Sequence, residues 1–406
     1  MARTVSELAN GSRITDYISL GVIAKVFPRE RVLECLAAAG AQTKRTRDLP
    51  NHVVVYYVIA MAVFMSVSCK EVLRILLEGI RWLSDPSKKV EVTGKSGISQ
   101  ARSRVGAQAF VRLHDEVVVP MATRQTRGAW YRRWRLISID GSTMDVPDTQ
   151  ANAAAFGRPK NGQGTGAFPQ IRFVSLIESG THVLFGTRMG PFTTGEVTLA
   201  REVLPFIGPD MLVLADRLFY SCDLWREALK TGAALVWRVQ NRLRLPCAAR
   251  LDDGSYLSHV YASETDRNAG RNPIAVRVIE YTLAGPAQAE DCYRLISNLL
   301  DPLEAPAEEL AALYPERWQI ESALDELKTH LRGSRIVLRS KQPELARQEL
   351  YGLLMAHFAI RGLMHEAALK EDLDPDRLSF VHAVRVVRRK LPVFGAIPPS
   401  GKTSVS

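Results

Sequence analysis

The chain has 406 residues, 46% of them hydrophobic and 24% charged, ordinary globular values that exclude wholesale disorder and a bundle of membrane spans. At that length roughly two to four compact units are expected. With 53 Lys and Arg against 43 Asp and Glu, the net charge of +10 favours a polyanionic partner, either nucleic acid or an anionic membrane surface.

The five cysteines, Cys35, Cys69, Cys222, Cys247 and Cys292, are odd in number and form no CxxC pair. Neither a disulfide framework nor a structural zinc is expected, and the setting reads as reducing and cytoplasmic. The start, Met1-Ala2-Arg3-Thr4-Val5-Ser6-Glu7, lacks a basic region followed by an apolar core, so no secretion signal is expected.

In chain order, the first long apolar run is Val53 to Ser68, bounded by His52 and Lys70. It is short for a membrane span and reads as a buried helix. Glu71 to Leu83 has helical periodicity and can pack against it, with Asp85-Pro86 marking a break. Residues 1–110 therefore read as a helical domain. Near its end, Thr93-Gly94-Lys95-Ser96-Gly97-Ile98 leads into a helix carrying Gln100, Arg102 and Arg104. A helix-turn-helix reader of DNA presents such residues, and a plain solvated helix looks the same. Gly94-Lys95-Ser96 is not a phosphate loop, because position 89 is Lys where the Walker pattern requires Gly.

From Arg135 the pattern becomes strand-like. Leu136-Ile137-Ser138-Ile139 is an apolar run ending at Asp140, and Met211-Leu212-Val213-Leu214-Ala215 is another ending at Asp216. A carboxylate at the tip of a buried strand faces a cleft. Between them lie candidate strands Ile171 to Ile177 and His182 to Arg188, joined by a turn at Gly180-Thr181, and a helix from Gly195 to Phe206. A helix from Ser221 to Lys230 and a strand from Ala233 to Val239 follow. Three strands, a helix, a strand, a helix and a strand is the ribonuclease-H-like order, which brings chain-distant carboxylates to one edge of a mixed sheet.

The stretch from Asp216 to Glu321 is longer than that fold needs, so an insertion is expected. Strand-like runs at Arg244 to Arg250, Tyr256 to Tyr261, Ile274 to Leu283 and Cys292 to Leu299 alternate with turns such as Asp252-Asp253-Gly254 and Gly285-Pro286. They suggest a small antiparallel sheet. The catalytic core is thus expected over 130–240, a β insertion over 241–300, and core helices over 301–392. Residues 393–406 read as a disordered tail.

Residues 314–328 read as one helix. At about 100° per residue, Tyr314, Arg317, Glu321 and Lys328 fall on one narrow stripe beside an apolar arc. Such a stripe is commonly a solvated face laced by ion pairs. It also suits phosphate gripped by Arg317 and Lys328 and a metal held by Glu321. Helices from Gln342 to Ile360 and Arg377 to Leu391 follow, the second carrying Arg385, Arg388, Arg389 and Lys390. That basic side is either a solvated face or a DNA-backbone contact.

The spacing of Tyr314, Arg317, Glu321 and Lys328 resembles the signature around the catalytic glutamate of DDE transposases of the insertion-sequence-four family. The resemblance extends to Asp140-Gly141-Ser142, to Phe156-Gly157-Arg158, to Pro169-Gln170-Ile171-Arg172 and to Asp216-Arg217-Leu218-Phe219. Leu218 stands where the family has Gly, which puts the loop after the strand in question.

The resemblance implies that Asp140, Asp216 and Glu321 are catalytic metal ligands. It also implies that Tyr314, Arg317, Lys328 and Arg217 contact phosphates. In relatives that pass through a DNA hairpin, an aromatic in the last inserted strand stacks on a flipped base, and Tyr293 is the candidate here. Three convergent carboxylates suit two Mg²⁺ ions and phosphoryl transfer, with Mn²⁺ able to substitute.

The reading is therefore a DNA transposase that binds its element's ends through the N-terminal domain and cleaves and joins strands. Double-stranded DNA is the expected partner, the assembly on DNA a homo-oligomer, and the location the cytoplasm, at the nucleoid. Two alternatives stay open: a nuclease of the same fold that cuts without joining, and a non-catalytic DNA-binding regulator.

Overall fold

The computed structural model describes residues 23–42, 49–84, 95–159, 168–282, 292–333 and 336–390. The break at Asp85-Pro86, the turn at Gly285-Pro286, the start of the chain and the tail 393–406 lie outside the described residues, as does the turn at Thr93-Gly94. Two compact units emerge, each discontinuous in sequence: Met1–Val119 with Met144–Pro169 and Asp325–Ser406, and Pro120–Thr143 with Gln170–Leu324. The helices that follow Asp325 cluster with those of the N-terminal part.

The first unit is helical in its described residues. Its centre is the helix Asn51–Val63, buried on nearly every side, which is why its sequence is apolar all round rather than amphipathic. It packs on the long helix Pro343–Lys370. Their contact depends on a glycine: a Cβ on Gly352 would lie 2.8 Å from the Val58 carbonyl oxygen, so any side chain would force the helices apart.

The carbonyls at and just beyond the end of Asn51–Val63 are taken up by two arginines. Arg339 donates to the Met61 oxygen at 2.7 Å and the Val67 oxygen at 2.6 Å, and Arg388 Nε donates to the Val63 oxygen at 2.7 Å. Orphan carbonyls of a buried helix end need such partners, and cations suit that pole. Arg388 is thereby corrected: it is half-buried and holds a helix end rather than a DNA backbone. No helix among the described residues is long and apolar enough to cross a membrane.

The second unit is built on a ten-stranded sheet. Its strands are β1 (Trp130–Tyr131), β2 (Trp134–Asp145), β3 (Gln170–Glu178), β4 (Val183–Pro191) and β5 (Met211–Ala215), then β6 (Ala234–Arg238), β7 (Ala249–Arg250), β8 (Tyr256–Val260), β9 (Ile274–Tyr281) and β10 (Tyr293–Ser297). They lie in the order β4-β3-β2-β5-β6-β10-β9-β8-β7, with β1 beside β2. β2, β5 and β6 run parallel at the centre, where β5 is wholly buried and correspondingly all apolar.

The inserted strands do not form a separate small sheet. β10 pairs antiparallel with β6, Ile296 opposite Trp237, so the insertion prolongs the central sheet. A polar staple supports that extension: the buried Arg277 of β9 pairs with Asp253 and donates to the Ser255 hydroxyl at 2.8 Å. On one sheet face Leu136, Leu212, Leu214, Val236 and Leu295 form a core with Leu310 and Tyr314.

Candidate active site

The parallel ladder fixes where the two aspartates emerge. Ile139 of β2 pairs with Ala215 of β5, and Ala215 pairs with Trp237 of β6. Asp140 and Asp216 are the next residues on neighbouring strands. Both share the parity of Leu136, Leu212 and Leu214, so by the two-residue alternation they face the side that holds Tyr314. One detail differs from expectation: Asp140 is not at a strand tip, because β2 continues to Asp145. The opening arises because β5 stops at Ala215.

Asp140 is set in a strained electrostatic environment. Its Oδ1 accepts from the Gly141 amide at 2.7 Å, and its Oδ2 lies 3.8 Å from Nη1 of Arg317. Burial pushes its carboxyl up to about 6, and the nearby charges of Glu196 and Asp216 push the same way against the Gly141 amide and Arg317. Two further carboxylates close to a desolvated one is an arrangement that favours bound protons or a cation.

Tyr314 and Arg317 lie beside the same aspartates. Tyr314 is 4% exposed and its hydroxyl donates to the Ala215 carbonyl at 3.2 Å. Burial raises its phenol, with Asp216 adding and Arg317 opposing. It anchors the end of β5. Arg317 is 6% exposed, faces Asp140 and lies with its guanidinium carbon 4.8 Å from the Trp318 ring centre. The regular stripe fails because the helix is not regular: Tyr314–Trp318 is 3₁₀, Gln319–Asp325 is α and Glu326–Leu331 is π. A 3₁₀ turn advances about 120° per residue and a π turn is wider than an α turn, so a 100° projection loses register.

The other candidates distribute as follows. Glu321 is exposed on Gln319–Asp325, and Arg217 is exposed after Asp216. Lys328 belongs to the helical unit and is half-buried. Burial lowers its pKa, as does Arg332, against Asp145 and Asp325. Tyr293 stacks on Tyr281, ring centres 5.4 Å apart, with Arg238 4.4 Å from its own ring centre. It is half-buried on β10. In the helix Lys95–Val105, Gln100 and Arg104 are exposed. Arg102 is 5% exposed and donates to Gln348 at 3.2 Å and the Leu345 carbonyl at 2.7 Å, tying its helix to Pro343–Lys370.

Glu196 escaped the sequence reading. It opens the helix Glu196–Val203, where an acidic residue is already explained by the helix dipole, so its type and position carried no catalytic signal. Among the described residues no group of three or more His, Cys, Asp or Glu side chains stands ready to hold a metal ion. The donor set still fits a hard divalent cation: it is all carboxylate oxygen, it is drawn into a desolvated place, and Mg²⁺ is commonly held by one or two carboxylates plus substrate phosphates.

Comparison with known proteins adds family relations. A family model described as "Insertion element 4 transposase N-terminal" matches residues 17–115, and one described as "Transposase DDE domain" matches residues 133–359. The protein "Transposase InsG for insertion sequence element IS4" of Escherichia coli (strain K12) is 29% identical over 381 residues, 91% of this chain and 82% of that protein. "Putative transposase InsZ" of the same organism is 26% identical over 221 residues, 54% of this chain and 71% of that one. A solved structure titled as a piggyBac transposase synaptic complex with hairpin DNA aligns over 99% of this chain and 86% of that one. Its 14% identity and TM-score of 0.49 make this a likeness too weak to argue from.

Proposed function

The chain belongs to the DDE transposases of the insertion-element-4 family, and from that premise we propose that it binds the ends of its own element and catalyses Mg²⁺-dependent strand cleavage and strand transfer on a ribonuclease-H-like core. The partner is double-stranded DNA, on which the chain works as a homo-oligomer. The observation that supports this most is the emergence of Asp140 and Asp216 from neighbouring parallel strands, with the Asp140 carboxyl pushed up to about 6.

In this reading Asp140 and Asp216 hold the divalent cation, and Glu321 completes the donor set once DNA is bound. The cation supplies Lewis-acid stabilisation of the reacting phosphoryl group and eases deprotonation of the attacking water or 3′-hydroxyl. The chain's own residues supply rigidity. Tyr314 pins the end of β5 through the Ala215 carbonyl, which fixes the point from which Asp216 leaves the sheet. Arg317 keeps the Asp140 carboxylate oriented and offsets part of its desolvation. Displacements of about 1 Å at such a site can cost on the order of a hundredfold in rate. Arg217 and Lys328 are the phosphate contacts of the proposal, and Gln100 and Arg104 its DNA-end contacts.

Single-turnover cleavage of DNA carrying the sequences that flank the gene tests it. Asp140→Ala, Asp216→Ala and Glu321→Ala should each bind that DNA at matched salt and leave no measurable Mg²⁺-dependent cleavage. A variant that cuts at the parental rate removes its residue from the site, and cleavage by the parent without joined products makes the chain a nuclease.

A further inference from the structure

We infer that Glu196 is a further oxygen ligand of the divalent cation held by Asp140 and Asp216, a role that rests on the proposed transposase reading and extends its acidic set. The geometry is specific. The main chain directly after Asp140 bears Gly141, and a Cβ built there would lie 2.9 Å from Cδ and 3.0 Å from Oε1 of Glu196. The Glu196 carboxyl therefore occupies the space that any side chain at 141 would need, pressed against the peptide that carries Asp140.

Three features make a structural role an insufficient account of that contact. The helix Glu196–Val203 has Gly195 at its N-cap with no side-chain cap bond, so Glu196 is not needed to close a capping arrangement. Glu196 is half-buried, and its carboxyl lies against Gly141, whose amide donates to Oδ1 of Asp140 at 2.7 Å. Bringing a second carboxylate against a desolvated first one is unfavourable unless a cation or a proton lies between them. A hard divalent cation takes oxygens from several carboxylates, and a glutamate arriving from a helix reaches it from another direction than two aspartates leaving adjacent strands.

Gly141 has a matching role. Glycine at 141 is the residue that leaves room for Glu196 beside Asp140, and alanine there would push the flexible end of the Glu196 side chain aside.

The test is Mn²⁺ binding by the full chain without DNA, read from the electron paramagnetic resonance signal of free Mn²⁺, beside metal-free thermal melting. Glu196→Gln, which keeps shape and removes charge, should melt no lower than the parent without metal and weaken Mn²⁺ binding about tenfold or more. Gly141→Ala, which keeps every carboxylate and displaces one, should weaken it in the same direction. Asp140→Asn is the reference and should weaken it at least as much. Parental affinity in Glu196→Gln with loss in Asp140→Asn overturns the role of Glu196 and leaves the proposed function standing. Parental affinity in Asp140→Asn overturns the ion site itself, and the role of Glu196 with it.

Discussion

Glu326 and Glu349 in the helical unit and Asp140 in the sheet unit are partnered in opposite ways. In the helical unit Glu326 is paired with Arg361, accepting from its Nε at 2.8 Å, with His357 Nε2 at 3.1 Å. Glu349, in the same unit, accepts from the amides of Arg339 and Ser340 at 2.9 and 3.0 Å and from the Ser340 hydroxyl. In the sheet unit Asp140 has one amide and an arginine at 3.8 Å, and its other charged neighbours are carboxylates. A fully partnered buried charge fixes a structure, whereas one kept beside its own kind costs stability and is retained for what it can bind.

The largest effect that would break this comparison lies in the helical unit. Glu326→Ala strands Arg361, 2% exposed, without its carboxylate, and should cost about 3–5 kcal/mol in chemical denaturation. Asp140→Asn should have the opposite sign, raising stability by on the order of 1 kcal/mol at neutral pH while cleavage is lost. Equal destabilisation by both would show that Asp140 is as structural as Glu326.

Which of these residues would be structural and which exposed was only partly legible in the sequence. Met211–Ala215 emerges as a strand with the expected ends, because a short wholly apolar run leading into Asp216 admits little else. The β3–β4 hairpin was legible from two strand-like runs on either side of Gly180-Thr181. Where long side chains end up was not. Arg102, Arg388 and Arg317 all read as exposed cations, yet each meets a carbonyl, amide or carboxylate brought from far along the chain. The pairing of β10 with β6 was hidden for the same reason, since register between distant strands leaves no local pattern. The change from 3₁₀ to α to π over Tyr314–Leu331 also has no periodic signature, so the stripe projected at 100° could not survive it.

A smaller effect sharpens the comparison through pH. The folded pKa of Asp140, about 6, lies above the unfolded value of about 3.9, so the folded state binds the proton more tightly. Its stabilising contribution is fully present below about pH 4 and is lost as pH rises through about 6. Chemical denaturation of the parent and Asp140→Asn should therefore give nearly equal stabilities at about pH 4, with the asparagine variant pulling ahead by pH 7. A gap that stays constant over that range would mean that Asp140 is not desolvated as described.

The most direct measurement maps where the cation sits. Fe²⁺ substituted for Mg²⁺, with ascorbate and peroxide, generates hydroxyl radicals that cut the polypeptide beside the bound ion. The account predicts cuts near residues 140 and 216 that disappear in Asp140→Asn and are competed by excess Mg²⁺. Cuts confined elsewhere, or unchanged in Asp140→Asn, would overturn the assignment of Asp140 and Asp216 to the metal centre.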